Sequence, residues 1–134
     1  MDITVSNCFL PTIDHDKAIE FYRDAMGLEV RTDVGYEGLR WVTVGAESQP
    51  GVNIVLYPPA GDPNASAADK KALAELTAKG FFSVHFTAED VDAAFERVKD
   101  AGGEVLQEPT DMDYGARDCA FRDPSGNMLR ISQR

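Results

Sequence analysis

Along most of the chain apolar residues return at every second position, and three stretches break that rhythm with returns every three or four positions. Ile3–Thr12 reads as a strand, and Asp14 or Asp16 then offers an N-cap for a helix to about Met26, with Gly27 as its stop. Ile19, Tyr22 and Met26 share one face of that helix. Leu28–Val34, Leu39–Val44 and Val52–Tyr57 follow as strands separated by glycine-bearing turns. Pro58-Pro59 and Asp62-Pro63 end this unit, and Ser66 with Asp69 forms a capping-box start for a helix through Leu73 and Leu76 to Gly80. Phe81–Thr87 is the next strand. Val91, Ala94, Phe95, Val98 and Ala101 mark a third helix, stopped by Gly102-Gly103. Glu104–Gln107, Arg117–Arg122 and Asn127–Ser132 complete the set, the last two joined by the turn Asp123-Pro124-Ser125-Gly126.

The plan strand, helix, strand, strand, strand therefore occurs twice. Asp14, Asp16, Ala18, Glu20, Asp24, Ala25 and Gly27 recur as Asp90, Asp92, Ala94, Glu96, Asp100, Ala101 and Gly103, at a constant shift of 76 positions. A chain of 134 residues buries one good core, so the copies are halves of a single α+β domain: module one at 1–59, a linker helix at 60–80 and module two at 81–134. Paired modules of this kind leave a cleft between their sheets where a small molecule can bind.

A formal net charge of −10 excludes nucleic acid as a partner, because a polyanion needs a positive footprint. Solubility accounts for that charge, and attraction of a cationic ligand is the sharper alternative. No apolar run is long enough to span a bilayer, and the start lacks the basic-then-apolar pattern of a signal peptide; cytoplasmic location is the expectation. Cys8 and Cys119 fall inside strands with no Cys-x-x-Cys motif, which predicts free, buried thiols.

Strand parity assigns the faces. Phe82, Val84 and Phe86 form one core row, Val52, Ile54 and Leu56 another, and Cys8, Leu10, Leu129 and Ile131 belong with them. The opposite parity leaves Asn7, Phe9, Asn53, Val55, Tyr57, Ser83, His85, Thr87, Met128 and Arg130 toward the cleft, the mixed polar and aromatic lining a small-molecule site uses.

The run from Asn7 through Asp14, Ala18 and Phe21-Tyr22 to Gly27-Leu28, and the run Tyr114-Gly115-Ala116-Arg117 through Phe121-Arg122-Asp123-Pro124-Ser125-Gly126-Asn127, resemble the vicinal oxygen chelate superfamily of glyoxalases, bleomycin resistance proteins and extradiol dioxygenases. The resemblance implies two βαβββ modules in pseudo-twofold arrangement, with curved mixed sheets enclosing a cleft, often in a homodimer. It also implies a divalent cation held by His, Glu or Gln at positions that correspond here to Asn7, Val55, Ser83 and Arg130. None is a good ligand: Val55 has no donor atom, Asn7 and Ser83 are weak, and Arg130 puts a fixed positive charge at the ion's place. Repulsion of about 4 kcal/mol between two unit charges at ~4 Å, for an effective dielectric of about 20, empties a site already short of anions. The expectation is no metal and no other cofactor.

Two histidines remain. His15, at the helix start, reads as a solvated residue; His85 reads as a satisfied half-buried histidine, a ligand-contacting or acid–base group, or a metal ligand. Arg130 serves either an ion pair or an anionic ligand. Tyr57, Trp41 and Tyr114 are core or rim aromatics, or a platform on which a planar ligand stacks; the face of Trp41 stays open. Tyr114 and Arg117 join the ligand-binding candidates through their shared run. The resulting expectation is a metal-independent small-molecule-binding protein that sequesters its ligand. The alternative is a glyoxalase-type lyase, isomerase or dioxygenase, either with displaced metal ligands or metal-free with His85 as general base beside Arg130.

Overall fold

The computed structural model describes residues 1–58 and 61–134, and at Tyr36 the backbone only. The expected module boundary at 59/60 lies outside the described residues.

Module one comprises β1 (Asn7–Pro11), α1 (His15–Glu20), β2 (Glu29–Tyr36), β3 (Leu39–Gly45) and β4 (Asn53–Tyr57). Helix α2 (Ala67–Ala78) leads to module two: β5 (Ser83–Ala88), α3 (Val91–Asp100), β6 (Glu104–Asp111), β7 (Arg117–Arg122) and β8 (Met128–Gln133). The strands form two four-stranded mixed sheets of matching order, β1-β4-β3-β2 and β5-β8-β7-β6. In each, the first and last strands of the module pair in parallel and the remaining neighbours are antiparallel.

The sequence repeat has a structural counterpart in the helix starts. Asp14 Oδ1 accepts from the Lys17 backbone N–H at 3.1 Å, and Asp90 Oδ1 from that of Ala93 at 3.0 Å. Each carboxylate satisfies one of the orphan donors of the first turn. Ser66 and Asp69 cap α2 reciprocally, each side chain accepting from the other's backbone N–H at 3.0 Å. The first helix does not remain α-helical to Met26. At Phe21–Ala25 it widens into a π turn, closed by the Met26 N–H on the Phe21 carbonyl at 3.0 Å. This turn buries Phe21, Tyr22 and Ala25.

Three further departures concern the strands. The first strand starts at Asn7 rather than Ile3, because β4 begins with Asn53, the partner of Asn7. Ile3 and Val5 have no strand beside them and stay 76% and 62% exposed. Cys8, expected in the core, is exposed near the start of β1, whereas Leu10, at the same parity two residues on, is buried. β6 runs on to Asp111 through Pro109, which the free edge tolerates because its missing N–H forfeits no ladder bond.

One hydrophobic cluster runs through both modules, with Leu10, Tyr22, Val42 and Leu56 from the first and Phe95, Phe121 and Leu129 from the second. Buried polar bonds clasp the modules beside it. Tyr22 donates to Asp123 Oδ2 at 2.7 Å, Asn127 Nδ2 to the Pro11 carbonyl at 2.7 Å, and the Ile13 N–H to Ser125 Oγ at 2.9 Å. Asp123 Oδ1 also accepts from the Ser125 and Asn127 backbone N–H groups, both at 2.9 Å, so the β7–β8 turn is shaped around this carboxylate. No helix among the described residues is long and apolar enough to cross a membrane.

Candidate functional site

The inner face of module one is aromatic. Alternation along β1 brings Phe9 outward beside Val55 of β4, while β3 and the end of β4 supply Trp41 and Tyr57. The Phe9 ring meets both edge-on, with centroids 6.2 Å from Trp41 and 6.1 Å from Tyr57, in the T-shaped geometry that the ring quadrupoles favour. Phe9 and Trp41 remain 58% and 40% exposed, whereas Val55 is fully buried and cannot touch a ligand in this conformation. An apolar hollow of about 390 Å³ adjoins them, lined by Val34, Leu39, Arg40, Trp41, Tyr57 and Pro58. The polar end of this face is already paired. Asn7 Oδ1 accepts from Asn53 Nδ2 at 3.1 Å, and Asn53 Oδ1 from Arg31 Nη1 at 2.9 Å.

The inner face of module two is polar and centres on Asp118. This carboxylate is fully buried and accepts from Tyr114 Oη on Oδ2, and on Oδ1 from Gln107 Nε2 at 2.8 Å and Arg130 Nη1 at 2.9 Å. Burial works against its charge, yet the Tyr114 and Gln107 bonds and the Arg130 cation outweigh it and hold the carboxyl below the usual range. The same hydrogen bond to Asp118 raises the Tyr114 hydroxyl above its ordinary value, with burial adding to it. Gln107 Oε1 accepts from Arg130 Nη1 at 3.3 Å, which leaves Nε and Nη2 of Arg130 without acceptors among the described residues. His85 is the register partner of Arg130, and Ser83 that of Met128. His85 and Ser83 are exposed, and neither side chain makes a hydrogen bond among the described residues.

The structure therefore gathers Phe9 and Tyr57 on one face, with Trp41 joining them, and Ser83, His85, Tyr114, Met128 and Arg130 on the other. Arg117 is not among them. Its guanidinium grips Asp92 of α3 at 2.7 and 3.0 Å and Asp111 at 3.3 Å, while Arg130 reaches Asp118 from the sheet's other face. His15 is not simply solvated either: its Nε2 donates to the Leu56 carbonyl at 2.8 Å and ties the helix start to β4. Asp118, Gln107 and Arg31 escaped sequence reasoning. For Asp118 the signal was present, since a buried Cys119 turns its neighbour Asp118 to the opposite, inner face by strand parity.

These residues do not fit the divalent cation that the resemblance implies. Among the described residues no three His, Cys, Asp or Glu side chains cluster to hold a metal. The corresponding positions carry an amide already paired to Asn53, a buried hydrocarbon, a hydroxyl and a guanidinium. The carboxylate beside Arg130, Asp118, has its oxygens committed to three donors.

Within one chain each inner face is open. No hydrogen bond, ion pair or ring contact among the described residues joins Phe9, Trp41 and Tyr57 to the Asp118–Arg130 face; the modules meet instead through Tyr22, Asp123 and Asn127.

Two matched βαβββ modules with a small-molecule-sized hollow define a class, and residues 4–131 match the profile of the Glyoxalase/Bleomycin resistance protein/Dioxygenase superfamily. The chain belongs to that superfamily. The solved structure of UcmS2 is 33% identical, covers both chains in full and superposes with a TM-score of 0.90. TnmS3, an antibiotic binding protein from Streptomyces sp. CB03234, is 24% identical over 99% of this chain and 98% of its own, with a TM-score of 0.77, a likeness of fold. A probable lactoylglutathione lyase of Synechocystis sp. (strain PCC 6803) is 30% identical over 125 residues, which span 90% of this chain and 87% of that protein.

Proposed function

We propose that the protein binds a small molecule without a metal ion and sequesters it in the cytoplasm rather than transforming it. The observation that carries this reading is the Asp118–Arg130 pair, which places a guanidinium at one of the positions corresponding to metal ligands and commits the adjacent carboxylate to it. The aromatic face of Phe9, Trp41 and Tyr57 supports a planar ligand held by stacking and apolar burial. The antibiotic-binding fold neighbour is in keeping with that use. Because each inner face is open within one chain, the cleft is proposed to close in a homodimer, the aromatic face of one copy opposing the polar face of the other.

Three measurements test this. Metal analysis of protein purified without chelator is expected to find well under one equivalent; near-stoichiometric metal removes the reading. Sedimentation velocity is expected to give the mass of a dimer. A thermal-shift screen of aromatic antibiotics and small carboxylates is expected to yield compounds that raise the melting temperature by mass action.

A second reading, a lyase or isomerase, is favoured by the 30% identity to the probable lactoylglutathione lyase and by the adjacency of His85 and Arg130 in register. There His85 would abstract a proton next to a carbonyl whose oxygen Arg130 stabilises. His85→Ala separates the two: loss of turnover with affinity retained supports the enzyme, and simple sequestration cannot produce it.

A further inference from the structure

We infer that Arg130 determines ligand specificity by taking a carboxylate on its Nε–Nη2 edge, so that the ligand class is a planar aromatic carboxylate; this rests on the ligand-binding reading above. Three observations lead there. Arg130 Nη1 is pinned by Asp118 Oδ1 at 2.9 Å and Gln107 Oε1 at 3.3 Å, which fixes the plane of the guanidinium. The opposite edge carries two parallel N–H groups with no acceptor among the described residues, and the side chain is still 24% exposed on the inner face. Finally, the exposed side chains at hand on this face, Ser83 and His85 of β5 and Tyr114, whose hydroxyl is given to Asp118, bring no carboxylate to satisfy that edge.

This donor pair is open to an incoming ligand, and its geometry matches the two oxygens of a carboxylate. Lysine could supply the charge but not the fork. Asp118 is a positioning residue: sealed behind the guanidinium and fully buried, it orients Arg130 without facing the incoming anion. The chain's net charge of −10 opposes an anion at long range, but salt screens that field beyond about 8 Å, whereas contact hydrogen bonds persist. The aromatic part of the ligand then falls to Phe9, Trp41 and Tyr57 across the cleft.

The experiment compares 2-naphthoate with the neutral 2-naphthalenemethanol by calorimetry at physiological salt, in wild type, Arg130→Gln and Arg130→Lys. Arg130→Lys guards against misfolding, since it leaves Asp118 a cationic partner while removing the fork. Wild type is expected to prefer the carboxylate by about tenfold or more, the worth of a charge-assisted bidentate contact. Both variants are expected to lose that preference. Equal binding of the two probes by wild type, or a preference that survives in Arg130→Lys, overturns the inference and leaves the sequestration reading standing. Binding of neither probe by any of the three proteins overturns both.

Discussion

The Tyr22 hydroxyl donates to Asp123 Oδ2 at 2.7 Å across 101 positions of sequence, and both residues are buried. One end of the bond is the π turn of module one, the other the β7–β8 turn of module two. With the Asn127–Pro11 and Ile13–Ser125 bonds and the shared core, it joins the two halves and so their inner faces.

Tyr22→Phe is expected to cost about 1–3 kcal/mol in urea denaturation, since it strips a donor from a buried carboxylate. It also changes the pH profile. Burial, with Asp123 adding, raises the Tyr22 pKa well above its ordinary value, so in alkali the folded protein retains a proton that the unfolded chain releases. Stability is therefore full below the unfolded value of about 10 and falls as pH climbs above it. Alkaline titration of unfolding free energy should be flatter for Tyr22→Phe than for wild type; parallel curves would show that the hydroxyl is not so held.

Gly126→Ala tests the same turn from the backbone side. Gly126 has φ of +103°, and an added Cβ would lie 2.6 Å from Ala78 Cα and 2.7 Å from the Thr77 carbonyl oxygen at the end of α2. Backbone strain and overpacking add, for an expected loss of roughly 2–4 kcal/mol. A melting temperature within a degree or two of wild type would contradict this packing.

Phe9→Ala separates ligand affinity from stability. With 58% of the residue exposed, folding should lose at most about 1 kcal/mol, the worth of its edge contacts with Trp41 and Tyr57. Affinity for an aromatic ligand should fall about fivefold or more, read as weaker quenching of Trp41, the single tryptophan of the chain. Unchanged quenching would place the ligand elsewhere.

The two thiols should behave differently. Cys119 is fully buried, and burial pushes its thiol up to about 11, with the Asp118 and Asp92 carboxylates adding to the shift. Cys8 is exposed on the edge strand. Titration with a disulfide reagent near pH 8 is expected to modify Cys8 in the native protein and Cys119 only after denaturation. Rapid modification of both would mean that the second sheet opens.

Much of the architecture was readable from residue order. Asp14 or Asp16 marked the first helix start, the spacing of Val91, Ala94, Phe95 and Val98 marked the third helix, the Asp123–Gly126 turn marked a hairpin, and alternation in β5 and β8 assigned Ser83, His85, Met128 and Arg130 to one face. Part of the site was not. Arg117 and Arg130 are the same residue type on neighbouring strands, yet one closes on Asp92 and the other on Asp118. Val55 has the parity of an inner-face residue and is sealed there.

What the sequence alone determined is the doubled module and the periodicity of its elements, because caps, turns and alternation are set by residues within a few positions of one another. Only the tertiary structure decided which charge meets which, how a π turn brings Tyr22 to Asp123, and that each inner face stays open in a single chain. Those outcomes depend on partners brought together from distant positions, and their energies exist only once water has been excluded from the groups involved.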